Sequence, residues 1–234
     1  MINSKYFFQG LKSLIGLRSP ALPLGCSFIA LGALLKDAGF NFQQSALSSF
    51  LTYALPGQLV MAESFIVGAS LINIFLAVWL VNARLYPMTV SLVPLLKHKD
   101  QPRWKYYLSC HFLAVSSWLI MKEKYKRVEN KYRIDFWIGI GTGTISTAVI
   151  TTLLGYSVAD YLNEDMLIGL AIVNPVYFFC MIIGAMSDTK IAIASIVGAV
   201  LGPIIYLISP EWSILYAGII GGSLSFLLGD KNGY

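Results

Sequence analysis

The sequence predicts an all-α integral membrane protein: a polytopic helical bundle of about seven or eight membrane segments, some of them interrupted. Three observations carry that expectation. Of 234 residues, 56% are hydrophobic and 12% charged, whereas an ordinary soluble domain carries about 25% charged residues. The apolar residues fall in runs of roughly 15 to 22, the length a helix needs to cross about 30 Å of hydrocarbon. Runs such as 66–81 and 191–208 are apolar almost all round, as buried spans are, and lack the alternation of barrel strands. A single integral domain over residues 1–234 follows.

Residues 1–18 read as a short amphipathic lead-in. The first span runs from about Ser19 to Leu35, with Pro20 and Pro23 in its first turn, where amides lack helical partners anyway. Lys36-Asp37-Ala38-Gly39 ends it. A second apolar stretch, Ala46 to Met61, is broken in its middle by Pro56-Gly57, because proline removes an amide donor and crowds the preceding turn. Glu63 follows, then a third run from Ser64 to Val81. Ser45–Leu55 and Tyr86–Leu96 are short for full spans and read as half-helices.

Residues 97–105 and 122–133 are both basic, with the apolar segment Tyr106–Met121 between them. If that segment crossed, the two loops could not both obey the positive-inside rule. The second loop holds six Lys and Arg against four in the first, and Asp160, Glu164 and Asp165 follow the next span. Residues 122–133 are therefore expected in the cytoplasm. The remaining spans are about 136–155, 166–186, 191–208 and 213–228, with Trp104, Trp137 and Trp212 near segment ends as interfacial anchors. Asn82 with Pro87 is echoed by Asn174-Pro175, and an inverted repeat is one reading of that echo.

Three polar constellations lie inside the apolar runs. Pro56-Gly57-Gln58 joins a helix break to an amide: freed carbonyls and half-helix ends form ligand sites in transporters, while a kink re-satisfied by neighbouring helices is the plainer reading. Glu63 and Arg84 bound a run of about twenty residues, enough for one crossing that would put them toward opposite faces. An interfacial Glu and a snorkelling Arg are ordinary. Arg84, however, has Asn82 and Tyr86 two residues to either side and Pro87 beyond, and an arginine in lipid costs a few kcal/mol unless it faces a cavity or a partner. Its fork matches a carboxylate, which an α-amino acid supplies. The third constellation, Gly139-Ile140-Gly141-Thr142-Gly143-Thr144, is no dinucleotide fingerprint, since no strand precedes it and no soluble βαβ unit surrounds it. Gly139 and Gly143 form a GxxxG pair suited to close helix contact, with a hydroxyl-lined wall of Thr142, Thr144 and Ser146 as the alternative.

Enzyme chemistry is not expected. His111 and Ser117 are six residues apart, off a helix-face spacing, and no GxSxG, HExxH or intramembrane aspartate pair is present. Asp135, Asp160, Asp188 and Asp230 fall at span ends. Cys26, Cys110 and Cys180 are widely spaced in apolar segments and read as packing residues, with no disulfide framework, metal or other cofactor implied. The net charge of +5 sits mostly in the two basic loops, so it points to a lipid bilayer and to topology instead of nucleic acid.

Several stretches in order resemble the AzlC-type branched-chain amino acid exporter family. Ala21-Leu22-Pro23-Leu24-Gly25 with Leu31-Gly32 is similar to its first span, and Ala38-Gly39-Phe40 to the turn after it. Ser48 to Gln58 resembles its "S…F.GA.Q" segment, with Pro56 where a small residue is usual. Leu80-Val81-Asn82-Ala83-Arg84-Leu85-Tyr86 resembles the "vNlRh.lYg" motif, and Leu92-Val93-Pro94-Leu95-Leu96 its continuation. Ala217-Gly218-Ile219-Ile220-Gly221-Gly222 fits the glycine-rich end. Two departures stand out. An Asp-Glu pair common after the basic loop is replaced here by Ser116-Ser117, and Leu85 stands where a histidine often follows the motif arginine.

The resemblance implies a secondary transporter of the bacterial inner membrane. It would export branched-chain or similar small apolar amino acids, working with a small AzlD-type membrane subunit. The substrate site is expected at Asn82, Arg84, Tyr86, Pro56, Gly57 and Gln58, with Glu63 as the coupling candidate in place of the missing acidic pair. The alternative is a non-transporting membrane subunit or assembly partner, in which Arg84 and the GxxxG pair serve packing.

Overall fold

The computed structural model describes residues 2–16, 19–208 and 213–228; Trp212 and Asp230, named above, lie outside them. The helices are α1 (Ser4–Lys12), α2 (Ala21–Asp37), α3 (Phe42–Thr52), α4 (Leu55–Ile66), α5 (Leu71–Asn82) and α6 (Leu85–Leu96). Then come α7 (Arg103–Ser109), α8 (Val115–Lys124), α9 (Arg133–Val158), α10 (Glu164–Ala185), α11 (Thr189–Ile208) and α12 (Ser213–Leu228). Among the described residues there is no strand. Contacts divide the chain into two compact units, residues 1–174 and 175–234.

In the first unit α9 is the axis. It is 26 residues long, so it rises about 39 Å, and each neighbour can be placed by the height at which it touches α9. Asn3 N donates to Asp135 Oδ2 at 3.1 Å, at the foot of α9. Above that, α1 crosses with Gly10 and Gly139 set directly against the opposite backbone. The climb continues in α2: Gly25 lies beside Thr151, Gly32 lies against Tyr156, and Lys36 Nζ reaches Asp160 Oδ2 at 2.6 Å. Together α1 and α2 rise parallel to α9. The short amphipathic lead-in expected over residues 1–18 contains α1, which packs along α9 because two glycines leave no side chain to hold the backbones apart,.

A hairpin comes down from the Val158 end. Its first helix, α3, starts on a reciprocal cap, in which Asn41 Oδ1 accepts from Gln44 N and Gln44 Oε1 accepts from Asn41 N, each at 2.8 Å,. It descends past Tyr156 at Phe42 and past Thr152 at Ser49, and stops where Tyr53 packs with Ile145 and Ala148. There Tyr53 takes a left-handed conformation (φ 38°) and Ala54 is extended. Then α4 turns back, with Gln58 level with Ser48 and Ser49 and the Phe65 ring against Phe40. The break therefore lies at Tyr53–Ala54, ahead of Pro56-Gly57. Pro56 sits in the first turn of α4, where its missing amide deprives no helical bond.

The run expected as one helix from Ser64 to Val81 is also two pieces. The chain turns after Ile66, with Gly68 at φ +71°, and Ser70 caps α5 by accepting from Asn73 N. Alongside α4, α5 descends until the Asn82 amide meets Gly57. It is bent by 45° from α6 at Ala83–Arg84. From there α6 continues down to the foot of α9, where Leu95 O accepts from Arg133 Nη1 at 3.3 Å. Glu63 and Arg84 therefore do not bound one helix. Glu63 is exposed near the far end of α4, and Arg84 lies in a break partway through a crossing.

Tyr106–Met121 is not one helix but two short ones that turn back on each other. A second hairpin rises from the foot of α9, where Gln101 Nε2 donates to Lys131 O at 3.0 Å. Ser109 O accepts from Trp137 Nε1, and at the tip Phe112 packs against Gly141. Ser117 closes the tip: its Oγ accepts from Ala114 N at 2.9 Å and donates to Phe112 O at 2.6 Å. The returning α8 bonds α6 through Trp118 Nε1 and Ser91 Oγ at 3.0 Å, and Arg133 Nε donates to Tyr125 O and Val128 O just below it. Both basic loops thus lie at the same end of α9, which removes the conflict that the positive-inside rule posed. Trp137 is no interfacial anchor. It is fully buried with Leu92, Leu96, Met121 and Ile140.

The first unit therefore repeats one order, two helices running along α9 and then a hairpin: α1 and α2 followed by α3–α4, and the bent pair α5–α6 followed by α7–α8. This is not the repeat read from Asn174-Pro175, because α10 runs through Pro175 without interruption. Among the described residues, 130–161, 164–184 and 189–208 are helices long and apolar enough to cross alone, and the bent pair α5–α6 makes a fourth. The other expected segments are shorter pieces. Within the second unit α11 and α12 run antiparallel, with Ser225 Oγ donating to Lys190 O at 2.6 Å and Gly221 close to Ala194.

Candidate functional site

The three breaks at Tyr53–Ala54, Ala83–Arg84 and Cys110–Ala114 all fall near mid-height of α9. Phe112 and Ala114 from the second hairpin pack on the cluster that contains Tyr53, and the rings of His111 and Phe50 are 5.6 Å apart. The two tips therefore meet inside the unit. His111 is exposed at its hairpin tip.

Gln58 is fully buried, and its Nε2 donates to Ser48 Oγ and Ser49 Oγ, each at 3.1 Å. Ser49 Oγ is 2.8 Å from Thr152 Oγ1, which donates to Ala148 O at 2.8 Å. A polar chain thus links α4 through α3 to α9. Its far end is open, since Gln58 Oε1 is buried without a hydrogen-bond partner. Tyr53, also buried, points its hydroxyl toward Thr144 without closing a hydrogen bond.

Gly57 is the point of contact with the neighbouring break: a Cβ there would lie 2.6 Å from Asn82 Nδ2 and 2.8 Å from Asn82 Oδ1. Only glycine allows that approach. Asn82 Oδ1 and Arg84 Nε are both buried and unpartnered, and the Arg84 side chain is half-buried. Buried polar groups are normally satisfied, so each orphan asks for a reason. Three such atoms, from Gln58, Asn82 and Arg84, come from two adjoining breaks.

Of the residues expected from the sequence, Gly57, Gln58 and Asn82 are brought together, with Pro56 in the same turn and Arg84 two residues from Asn82. Tyr86 is not among them, being 75% exposed on the far side of the break. Glu63 is exposed and forms no ion pair among the described residues. The GxxxG pair packs helices: Gly139 meets Phe7, and Gly143 meets Leu11 and Leu14. Thr142 and Thr144 spend their hydroxyls on backbone carbonyls of their own helix, and Ser146 is exposed. Ser117 is taken up in closing its hairpin tip.

Sequence reasoning missed Ser48, Ser49, Tyr53 and Thr152. A signal existed: a glutamine in an apolar run needs donors and acceptors nearby, and the adjacent serines one helix earlier were the nearest supply. It also missed the pair Lys105 Nζ–Asp135 Oδ1 at 3.8 Å, with both side chains almost fully buried, where Asp135 had been placed at a span end. The cysteines are free, and Cys110 and Cys180 are exposed instead of packed.

A protein-family model described as AzlC protein matches residues 21–162. That interval takes in both hairpins, all three breaks and α9, and ends before Ala217–Gly222. Neither the curated proteins nor the solved structures contain a match.

Proposed function

The chain belongs to the AzlC family, whose members are membrane transport proteins, and from that premise we propose that it is a secondary transporter. It exports branched-chain or similar small apolar amino acids across the bacterial inner membrane, together with a small AzlD-type subunit. The observation that carries the reading is Arg84: a guanidinium in a break of a membrane crossing, half-buried, with its Nε unpartnered. Such a group is costly unless it meets an anion or lines a polar cavity, and its fork holds a carboxylate by paired hydrogen bonds. Asn82, Pro56, Gly57 and Gln58 line the same place.

The end of α9 at Arg133 faces the cytoplasm in this reading, because both basic loops lie there and the acidic Asp160, Glu164 and Asp165 lie at the other. Glu63 is a poor coupling residue, exposed on the outer part of α4.

The test is counterflow in proteoliposomes holding the full chain and its small subunit, comparing leucine, valine and methionine with lysine. Leucine-class counterflow that disappears in Arg84→Gln and Arg84→Lys, while both variants insert and assemble, supports the proposal. Absence of counterflow for every amino acid sinks it, and wild-type rates in both variants return Arg84 to an interfacial role.

A further inference from the structure

Resting on that assignment of Arg84 to a carboxylate, we infer that Gln58 forms the opposite pole: its Oε1 accepts a monovalent cationic group, either the substrate's α-ammonium or a sodium ion. Hydrogen-bond direction fixes the amide. Thr152 Oγ1 gives its proton to Ala148 O, so the Ser49–Thr152 contact uses the Ser49 proton. Ser49 then has none left for Gln58, and the Gln58 atom 3.1 Å from Ser49 Oγ is the NH2 group, not the carbonyl. Gln58 Oε1 is thereby turned away from the chain of hydroxyls and held there. It is an acceptor in a fully buried side chain with nothing to accept from.

A second orphan acceptor lies close by. Asn82 Oδ1 is buried and unpartnered, and its amide rests on Gly57, the residue before Gln58. No Asp or Glu occurs in residues 42–58, 80–88, 110–117 or 140–152, the stretches that surround the three breaks. The oxygens offered to a cation here are therefore neutral ones, not carboxylates. Divalent ions call for carboxylate-rich shells, whereas ammonium groups and sodium are held by carbonyl-type oxygens in broken membrane helices.

The inference is tested by thermal unfolding of the purified full chain in detergent, with three probes. These are 3-methylbutylamine, which is leucine without its carboxylate, sodium chloride against choline chloride, and 4-methylpentanoate, which is leucine without its amine. The wild type is stabilised by the amine, by sodium, or by both, and the probe that works names the source of the charge. In Gln58→Leu the response to that probe needs about tenfold more ligand or vanishes, as expected for losing one hydrogen bond to a charged group, while the response to 4-methylpentanoate stays. Ser49→Ala, which frees the amide to rotate, weakens the cation response less, and it gives the reading if Gln58→Leu fails to fold. A wild type indifferent to both cations, or variants that respond to them as the wild type does, overturns the inference. A wild type that ignores 4-methylpentanoate yet responds to a cation leaves Gln58 standing and removes the role given to Arg84.

Discussion

Replacing Asp135 by Asn tests the joint at the foot of the first unit. Asp135 Oδ2 accepts from Asn3 N, and Oδ1 lies 3.8 Å from Lys105 Nζ, so a single carboxylate holds the start of α1 and the rising arm of the second hairpin. Removing one member of a buried ion pair costs about 3–5 kcal/mol, because the other is left as an uncompensated charge. Here the separation is long for a direct contact, and Lys105 keeps a bond to Gln101 Oε1 at 2.9 Å, so the loss for Asp135→Asn is expected near the lower end, about 3 kcal/mol. Lys105→Met should cost less, since the carboxylate keeps the Asn3 amide and the positive end of α9. The double variant Lys105→Met with Asp135→Asn should recover most of the loss, because no uncompensated charge is left buried. The assay is a double-mutant cycle on unfolding of the full chain in detergent. Singles that each cost under about 1 kcal/mol, or a double equal to their sum within the usual additivity error, would refute the joint.

Three further outcomes are expected. In a background with Cys26, Cys110 and Cys180 replaced by Ser, Lys99→Cys and Lys126→Cys should react with an impermeant thiol reagent from the same side of the membrane, and Asp165→Cys from the other; labelling of the first two from opposite sides would mean that residues 106–121 cross. Gly139→Leu drives a side chain into the Phe7 backbone and should cost at least the roughly 1–3 kcal/mol of ordinary overpacking, read as a lowered melting temperature, whereas Ser146→Leu on the exposed face of the same helix should be near neutral. Trp118→Phe removes the bond to Ser91 Oγ and should destabilise by about 1 kcal/mol, with no change if α6 and α8 are not in contact.

Helical class and the location of polar interruptions were legible in the sequence, because composition and proline chemistry are local properties. Pro56, Gly57, Gln58, Asn82 and Arg84 all lie at or beside breaks. Direction was not legible. An apolar run of eleven residues that ends in a break reads the same whether the chain continues across or turns back, and only contacts such as Gln101 with Lys131, or Gln58 with Ser48, show that α7–α8 and α3–α4 are hairpins. For the same reason Ser64–Val81 read as one helix: Gly68 at φ +71° is one glycine in a hydrophobic stretch, and glycine inside such a run is compatible with either outcome. Trp137 reads as an interfacial anchor because it sits near the start of α9, a position that is interfacial in a bare helix and buried once α1 and α7 cover it; Asp135 does lie at the span end, as expected, and is buried there by the same cover.

The coincidence in height of the three breaks follows from the physics of backbone in lipid. Each break leaves amides or carbonyls without helical partners, and in hydrocarbon such groups survive only where protein covers them or a polar cavity receives them. Tyr53–Ala54, Ala83–Arg84 and Cys110–Ala114 lie at one height, where each is covered by protein. The second tip satisfies its own needs: Ser117 takes the Ala114 amide and gives its proton to Phe112 O, which leaves that tip sealed. The first tip and the α5–α6 bend do not. Their unpaired atoms are the Tyr53 hydroxyl, two amide oxygens and one guanidinium nitrogen, a set of acceptors beside a donor cation that complements a zwitterion's two ends. A break that existed only to kink a helix would have closed on itself as the second tip does; this one leaves buried polar atoms unpaired, which is the feature the proposed substrate site rests on.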